Sequence, residues 1–307
     1  MVVCLPAWPG DTASSANAVN ASGVIVGDSS NTQRRHAVRW AADGSVTDLE
    51  TLPGGRYAAA EAVNASGLAA GYSYDSPFGQ RAVRWGVDGV VTDLGALPGD
   101  SESYAWGIIS AGAIVGSSRG SGGLRPVRWD PDGTITPLGN GNGAALAIND
   151  SGQITGCTNR NGLLDPTLWS PDGCATTLVP APGHTSGSAR INASGTVFGS
   201  SGTTNGDVRW HAAVWGEDGV AQLLGDLSEG DTSVVRWTND AHTSVGWATR
   251  GGVTYAVRWA SNGPPREGRR PVPRPRALAR GHGPGSARPD RRGPDRSASP
   301  KSGGLRR

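Results

Sequence analysis

The side chains able to do chemistry in this 307-residue chain are few and dispersed: five His (His36, His184, His211, His242, His282), three Cys (Cys4, Cys157, Cys174) and 26 Asp and Glu. The His residues have no metal-ligand spacing, no G-x-S-x-G elbow lies near them, and no glycine-rich phosphate loop stands before a helix. Three Cys are too few and odd in number for a disulfide scaffold, and their spacing fits no zinc site. No metal and no cofactor are expected. Dispersed acids can still cleave glycosides if the fold brings two of them together, at about 5 Å or at ~6.5–9.5 Å; Glu61, Asp75 and Glu102 are candidates only in that any acid would be. The other available chemistry is recognition. Arg56, Tyr57, Tyr74, Asp75, Glu102, Tyr104, Arg119, Arg160, His184, Arg209, Trp210 and His211 combine aromatic faces with guanidinium and carboxylate groups, which stack on and hydrogen-bond sugars or grip a peptide.

What must position these residues is a repeat. With 48 Gly and 21 Pro the chain opposes helices throughout. Trp40, Trp85, Trp129, Trp169, Trp215 and Trp259 end the segments HAVRW, RAVRW, RPVRW, DPTLW, HAAVW and YAVRW at spacings of 45, 44, 40, 46 and 44. Three residues after each Trp comes Asp-Gly, or Asn262-Gly263 in the sixth copy, and nine residues after the first five comes Leu. Between these blocks runs A-[VI]-N-x-x-G-x-[VI]-x-G, with Asn20, Asn64, Asn149, Asn192 and Asn239, and Ile109 in the third copy, each seven residues before a closing glycine. Each unit reads as four short β-branched runs separated by Gly, Asn or Asp turns, and Asp-Gly suits a tight hairpin. Four antiparallel strands at a period in the forties predict β-propeller blades.

The residues from Val2 to Asp11 align without gaps on Val91 to Asp100, so the N-terminus resembles a fourth strand while the sixth unit stops after its third. The expected fold is all-β: a six-bladed propeller over 2–263, with four-stranded blades and the N-terminal strand closing the last, followed by a disordered tail over 264–307. The six Trp are expected to pack between blades, the Asp-Gly pairs to turn the chain, and the Asn series to cap its turn rather than face the channel. Turn lengths after the first and third strands are constant. The other two connections vary, which places any ligand at their shared end. Trp210-His211 falls in the longest of those loops.

Residues 1–263 carry 15 Arg and no Lys against 23 acids, a balance of −8, whereas 264–307 carries 12 Arg and one Lys against 3 acids, a balance of +10. The tail, with 9 Pro and 7 Gly, holds too little apolar surface to fold. It reads as a basic arm, a linker, or the product of a shifted frame, and any nucleic-acid contact would run through it alone. No apolar run reaches the ~18 residues of a membrane span, and MVVCLPAWPG lacks the basic start and full apolar core of a secretion signal.

HAVRW-x-x-D-G-x-x-T-D-L-x-x-L-P-G-G followed by A-V-N-x-S-G-x-x-x-G resembles the HAF family of probable extracellular repeats, whose His-Ala-Phe opening is approached by His36-Ala37-Val38 and His211-Ala212-Ala213. The resemblance covers 2–263 and implies a secreted or surface-exposed bacterial protein, although the chain as written starts with no export signal, which leaves a cytoplasmic location or a different start open. It supplies no reaction. The expected function is a monomeric, non-enzymatic binding scaffold for an unidentified glycan, peptide or surface protein, with Arg56, Tyr57, Tyr74, Glu102, Tyr104, His184, Trp210 and His211 as ligand contacts. The alternative is a propeller-type polysaccharide hydrolase or lyase using non-repeated carboxylates at the variable end.

Overall fold

The computed structural model describes residues 4–75, 79–203, 209–228, 232–260 and the strand at 266–267. They form an all-β, six-bladed propeller of four-stranded antiparallel sheets with no helix. The blades span 13–49, 58–93, 102–137, 143–177, 186–223 and 233–267, each running in sequence order from its inner first strand to its outer fourth. One compact unit extends from Met1 to Arg270. The tail proper, and with it the expectation of disorder, lies outside the described residues.

Three repeated features explain the sequence pattern. Each Asp-Gly turn is held by its Asp side chain, which accepts from the amide two residues on, as in Ser45 N to Asp43 Oδ1 at 2.9 Å, and its Gly takes a positive φ, 85° at Gly44. The closing glycines sit inside the second strands. A Cβ at Gly116 would stand 1.8 Å from the Tyr104 carbonyl oxygen, and the five equivalents are as tight, so only Gly lets the first two strands pair there. The anchoring Trp residues are buried, all at 5% exposure or less. Five of their indole N–H groups donate to the linker leaving the preceding unit, for example Trp85 to the Glu50 carbonyl at 2.7 Å and Trp259 to that of Gly225 at 2.9 Å. Trp129 Nε1 is buried without a partner.

The Asn series does more than cap. Each Oδ1 accepts from the amide four residues on, as in Leu68 N to Asn64 Oδ1 at 3.0 Å. The Nδ2 then crosses the seam: Asn20 to the Asn64 carbonyl and Asn64 to that of Ile109 at 3.0 Å, and Asn192 to that of Asn239 at 3.2 Å. Where Ile109 interrupts the series, the neighbouring Ser110 binds the Asp150 carboxylate across the same seam, N at 2.9 Å and Oγ at 2.8 Å.

Closure differs from the sequence expectation. The fourth strand of blade 6 is Arg266–Glu267, pairing Val257 with Glu267 and Arg258 with Arg266, seven residues past Trp259 as Thr92 is past Trp85. The described N-terminal residues add no strand to that sheet. They lie on blade 1 instead, where the Pro6 carbonyl takes the Trp40 indole N–H at 2.7 Å and Trp8 N donates to Ser29 Oγ at 2.9 Å. These are the roles of linkers elsewhere: Leu97 N donates to Ser118 Oγ at 2.9 Å. The part of the alignment that the structure describes, Leu5–Asp11 on Leu94–Asp100, therefore identified a linker seated on the next blade; Val2 and Val3, aligned with the strand residues Val91 and Thr92, lie outside the described residues. Apolar clusters fill the five seams from blade 1–2 to blade 5–6. Among the described residues none joins blade 6 to blade 1.

Candidate functional site

The variable connections and the strand ends beside them carry three side-chain groups. In blades 1 and 2, Arg35 pairs with Asp28 at 2.8 Å and donates to the Tyr72 hydroxyl at 2.9 Å. The chain is pinned there by Arg35 N to the Arg56 carbonyl at 3.0 Å and Tyr74 N to that of Tyr57 at 2.8 Å. Tyr57 and Tyr74 meet edge-on, centroids 5.8 Å apart, and remain 45% and 43% exposed; Tyr72 lies edge-on to Tyr74 at 6.5 Å. The Arg56 side chain is exposed beside them. Burial pushes the Tyr72 hydroxyl above its ordinary range, which keeps it a hydroxyl at neutral pH.

In blade 3, the Tyr104 hydroxyl donates to Glu102 Oε2 at 3.0 Å, Arg119 stands 3.5 Å from the same oxygen, and Tyr104 stacks on Trp106 with centroids 6.1 Å apart. Glu102 also lies against Gly79 of blade 2, so the first two groups adjoin.

The third group is a histidine pair in blade 5. His211 Nδ1 is 2.6 Å from Asp226 Oδ2, His184 Nδ1 is 3.0 Å from Ser201 Oγ, and the rings are 5.2 Å apart. Burial, then the neighbouring His211, hold His184 below its ordinary value. The serine bonds to a different histidine from the one that holds the aspartate, so no Ser-His-Asp relay forms. Ser201 also receives the Ala181 amide at 2.9 Å, as Ser73 and Ser118 receive those of Leu52 and Leu97; His211 stands at the position of His36 and Arg81, but those pair with fourth-strand acids, Asp48 and Asp93, whereas Asp226 lies in the linker past the fourth strand. The serine's contact with the linker amide belongs to the repeat, and the His211–Asp226 pair is particular to blade 5. Trp210 and His211 stand in the third strand of blade 5 (Arg209–Trp215), not in a loop. The extra residues of the long Gly-to-Trp interval fall at 204–208, outside the described residues, and Trp210 pairs with Gly202, over which its ring lies.

Sequence reasoning missed the inner-strand bulges. Register shifts leave Asn17, Glu61, Trp106, Leu146 and Arg236 as the extra residues of their strands, while blade 5 has no shift and puts Arg190 after Ala189, as Glu61 follows Ala60. A bulge re-aims its side chain. Burial raises the Glu61 carboxyl above its ordinary range, and opposing influence comes from Arg35 of blade 1 and Arg190 of blade 5. Arg190 is pushed down by burial and by Arg236, yet guanidinium stays charged. The signal was present in the sequence: at this position the repeat keeps no residue type.

At the opposite end, a cavity of about 940 Å³ is lined by Gln153, Ser194–Val197, Val214–Gly219 and His242. Its walls are mostly the Asn and Asp-Gly turns that recur in every blade, in contrast to the non-repeated groups at the variable end. Among the described residues no three His, Cys, Asp or Glu side chains converge as they would on a metal ion.

No family model and no curated protein matches the sequence. Solved propellers match the fold. Virginiamycin B lyase from Staphylococcus aureus is similar at 15% identity and TM-score 0.55, with 83% of each chain covered. Oligogalacturonate lyase in complex with manganese is similar at 12% identity and TM-score 0.51, with 80% of this chain and 73% of that one covered. For TolB from Acinetobacter baumannii the values are 11% and 0.50, and this chain covers 61% of its length. Likeness at such identities establishes a shared architecture and leaves activity to be argued from the site.

Proposed function

We propose that this chain is a non-enzymatic recognition scaffold of the HAF repeat type, secreted or displayed at a cell surface, that binds a glycan or a peptide across the variable end of blades 1–3. The observation that carries this reading is the Tyr57–Tyr74 pair, two half-exposed rings set in fixed relation by backbone hydrogen bonds and by the Arg35–Asp28 ion pair beneath. Rigid aromatic faces cost little entropy when a sugar ring or an apolar side chain is laid on them. Arg119 and Glu102 next to them supply charged hydrogen-bond partners.

Titration against arrayed glycans and peptides, read by calorimetry, tests the reading. Tyr57→Ala and Tyr74→Ala should each weaken the selected ligand at least tenfold, about 1.4 kcal/mol, with unchanged melting. Full retention by the double variant would refute it.

A polysaccharide hydrolase or lyase is the second reading, favoured by one observation: a partly buried Glu61 whose carboxyl burial raises above its ordinary range, in the charge field of Arg35 and Arg190. Among the fold neighbours two are lyases and one is a TolB protein, so the architecture accommodates either. Turnover of a polyuronate or other polysaccharide that disappears in Glu61→Gln would establish this reading over the first.

A further inference from the structure

The five packed seams define what a blade presents on each flank, and the chain ends with one flank of each kind uncovered. On the forward flank, the residue just before the second-strand glycine is sealed in five blades: Val26, Ala70, Val115, Thr155 and Phe198 are all 0% exposed, whereas Val245 of blade 6 is 44% exposed. Ala256 is exposed although its equivalents Ala37, Ala82, Pro126, Pro166 and Ala212 are buried. On the rear flank, Ala16 of blade 1 is exposed while Ala60, Ala105, Ala145, Ala189 and Val235 are buried. The polar half of the seam is likewise unmatched. Asn239 is exposed and caps its own turn, at the position from which Asn20, Asn64, Asn149 and Asn192 reach the next blade.

We propose that the forward flank of blade 6 docks on the rear flank of blade 1 of a second copy of this chain, rebuilding the seam that each copy already contains five times. A second copy fits because the uncovered surfaces are complementary to each other and not to themselves: one brings Val245, Ala256 and the Asn239 amide, the other brings Ala16 and the Asn20 carbonyl. The chain's own two flanks share no apolar cluster among the described residues. The contact is heterologous, joining unlike surfaces, so each added copy exposes a fresh flank and assembly continues head to tail. This departs from the monomer expected from sequence.

The test uses the full chain and two substitutions at exposed positions, Ala16→Arg on the rear flank and Val245→Asp on the forward flank, with Ala256→Arg as a second forward variant. By sedimentation velocity over a hundredfold concentration range, the unmodified chain should grow beyond dimer and each variant alone should stay monomeric with unchanged circular dichroism. An equimolar mixture of Ala16→Arg with either forward variant should form a one-to-one dimer and nothing larger, because only one intact flank of each kind remains. A chain monomeric at every concentration, or a mixture that stays monomeric, overturns the proposal. So does a monomer whose melting falls with Val245→Asp, since the seam is then covered from within by blade 1 or by residues 268–307.

Discussion

Replacing Asn64 by Ala while replacing Asn239 by Ala in a parallel variant separates the two jobs of the Asn series. Asn64 is 4% exposed; its Oδ1 accepts from Leu68 N at 3.0 Å and Ser66 Oγ at 2.9 Å, and its Nδ2 donates to the Ile109 carbonyl at 3.0 Å. Asn239 keeps the turn bond, from Thr243 N at 2.9 Å, but is exposed and makes no cross-seam bond among the described residues. Losing a partly exposed turn bond costs about 1 kcal/mol. Asn64→Ala loses that, loses the cross-seam bond at about 1 kcal/mol, and strands a buried carbonyl at a further ~1 kcal/mol, which makes ~3 kcal/mol in all. For a domain of this size 1 kcal/mol moves Tm by roughly 2–4 °C. Asn64→Ala should thus melt about 6–12 °C below the parent and Asn239→Ala about 2–4 °C below, measured by circular dichroism at a dilution that keeps the chain monomeric. Equal losses would show that the series only caps its turns and that the seams owe nothing to it.

The Trp anchors allow a similar contrast: Trp85→Phe gives up the bond to the Glu50 carbonyl and should cost about 1–2 kcal/mol. Trp129→Phe removes a buried donor that has no partner and should cost clearly less in the same urea titration. Gly116→Ala would drive a methyl into the Tyr104 carbonyl and should cost at least ~3 kcal/mol, against ~1 kcal/mol for Gly99→Ala, where only the φ of 83° is strained. Comparable Tm values for the two would remove the steric account. With His184 held below its ordinary value, the folded chain binds fewer protons than the unfolded one just below pH ~6.5, so stability falls as the pH drops through that window. His184→Asn should flatten the decline in Tm between about pH 7 and pH 5; an unchanged slope would assign the decline to other groups.

The architecture was legible because propeller packing is periodic: a Trp that seals a seam, an Asp that holds a turn and a Gly that lets a carbonyl pass must each recur at a fixed place. The same logic misled at the N-terminus. Leu5–Asp11 resemble Leu94–Asp100 because both lie as a linker on the following blade, with Trp8 and Leu97 making the same bond, and that part of the likeness carries no information about which strand completes blade 6. Tyr57 and Tyr74 could be selected as candidates, but their edge-on meeting depends on the linker at Tyr57 pairing with the end of the second strand at Tyr74, which sequence spacing does not express. Glu61 and Trp106 are the extra residues of a bulge that the strand of Arg190 lacks, and a one-residue shift is invisible in an alternating pattern until the strands are paired.

The cross-seam bonds also bear on how the chain comes into being. Asn20 to Asn64, Asn64 to Ile109 and Asn149 to Asn192 span 44, 45 and 43 residues, and within a blade every strand pairs with its neighbour in sequence. Each contact therefore becomes available as soon as one more unit has left the ribosome. Blade pairs can dock in order during translation, leaving a nascent chain with a single growing apolar flank instead of a collapsed mass awaiting its last strand.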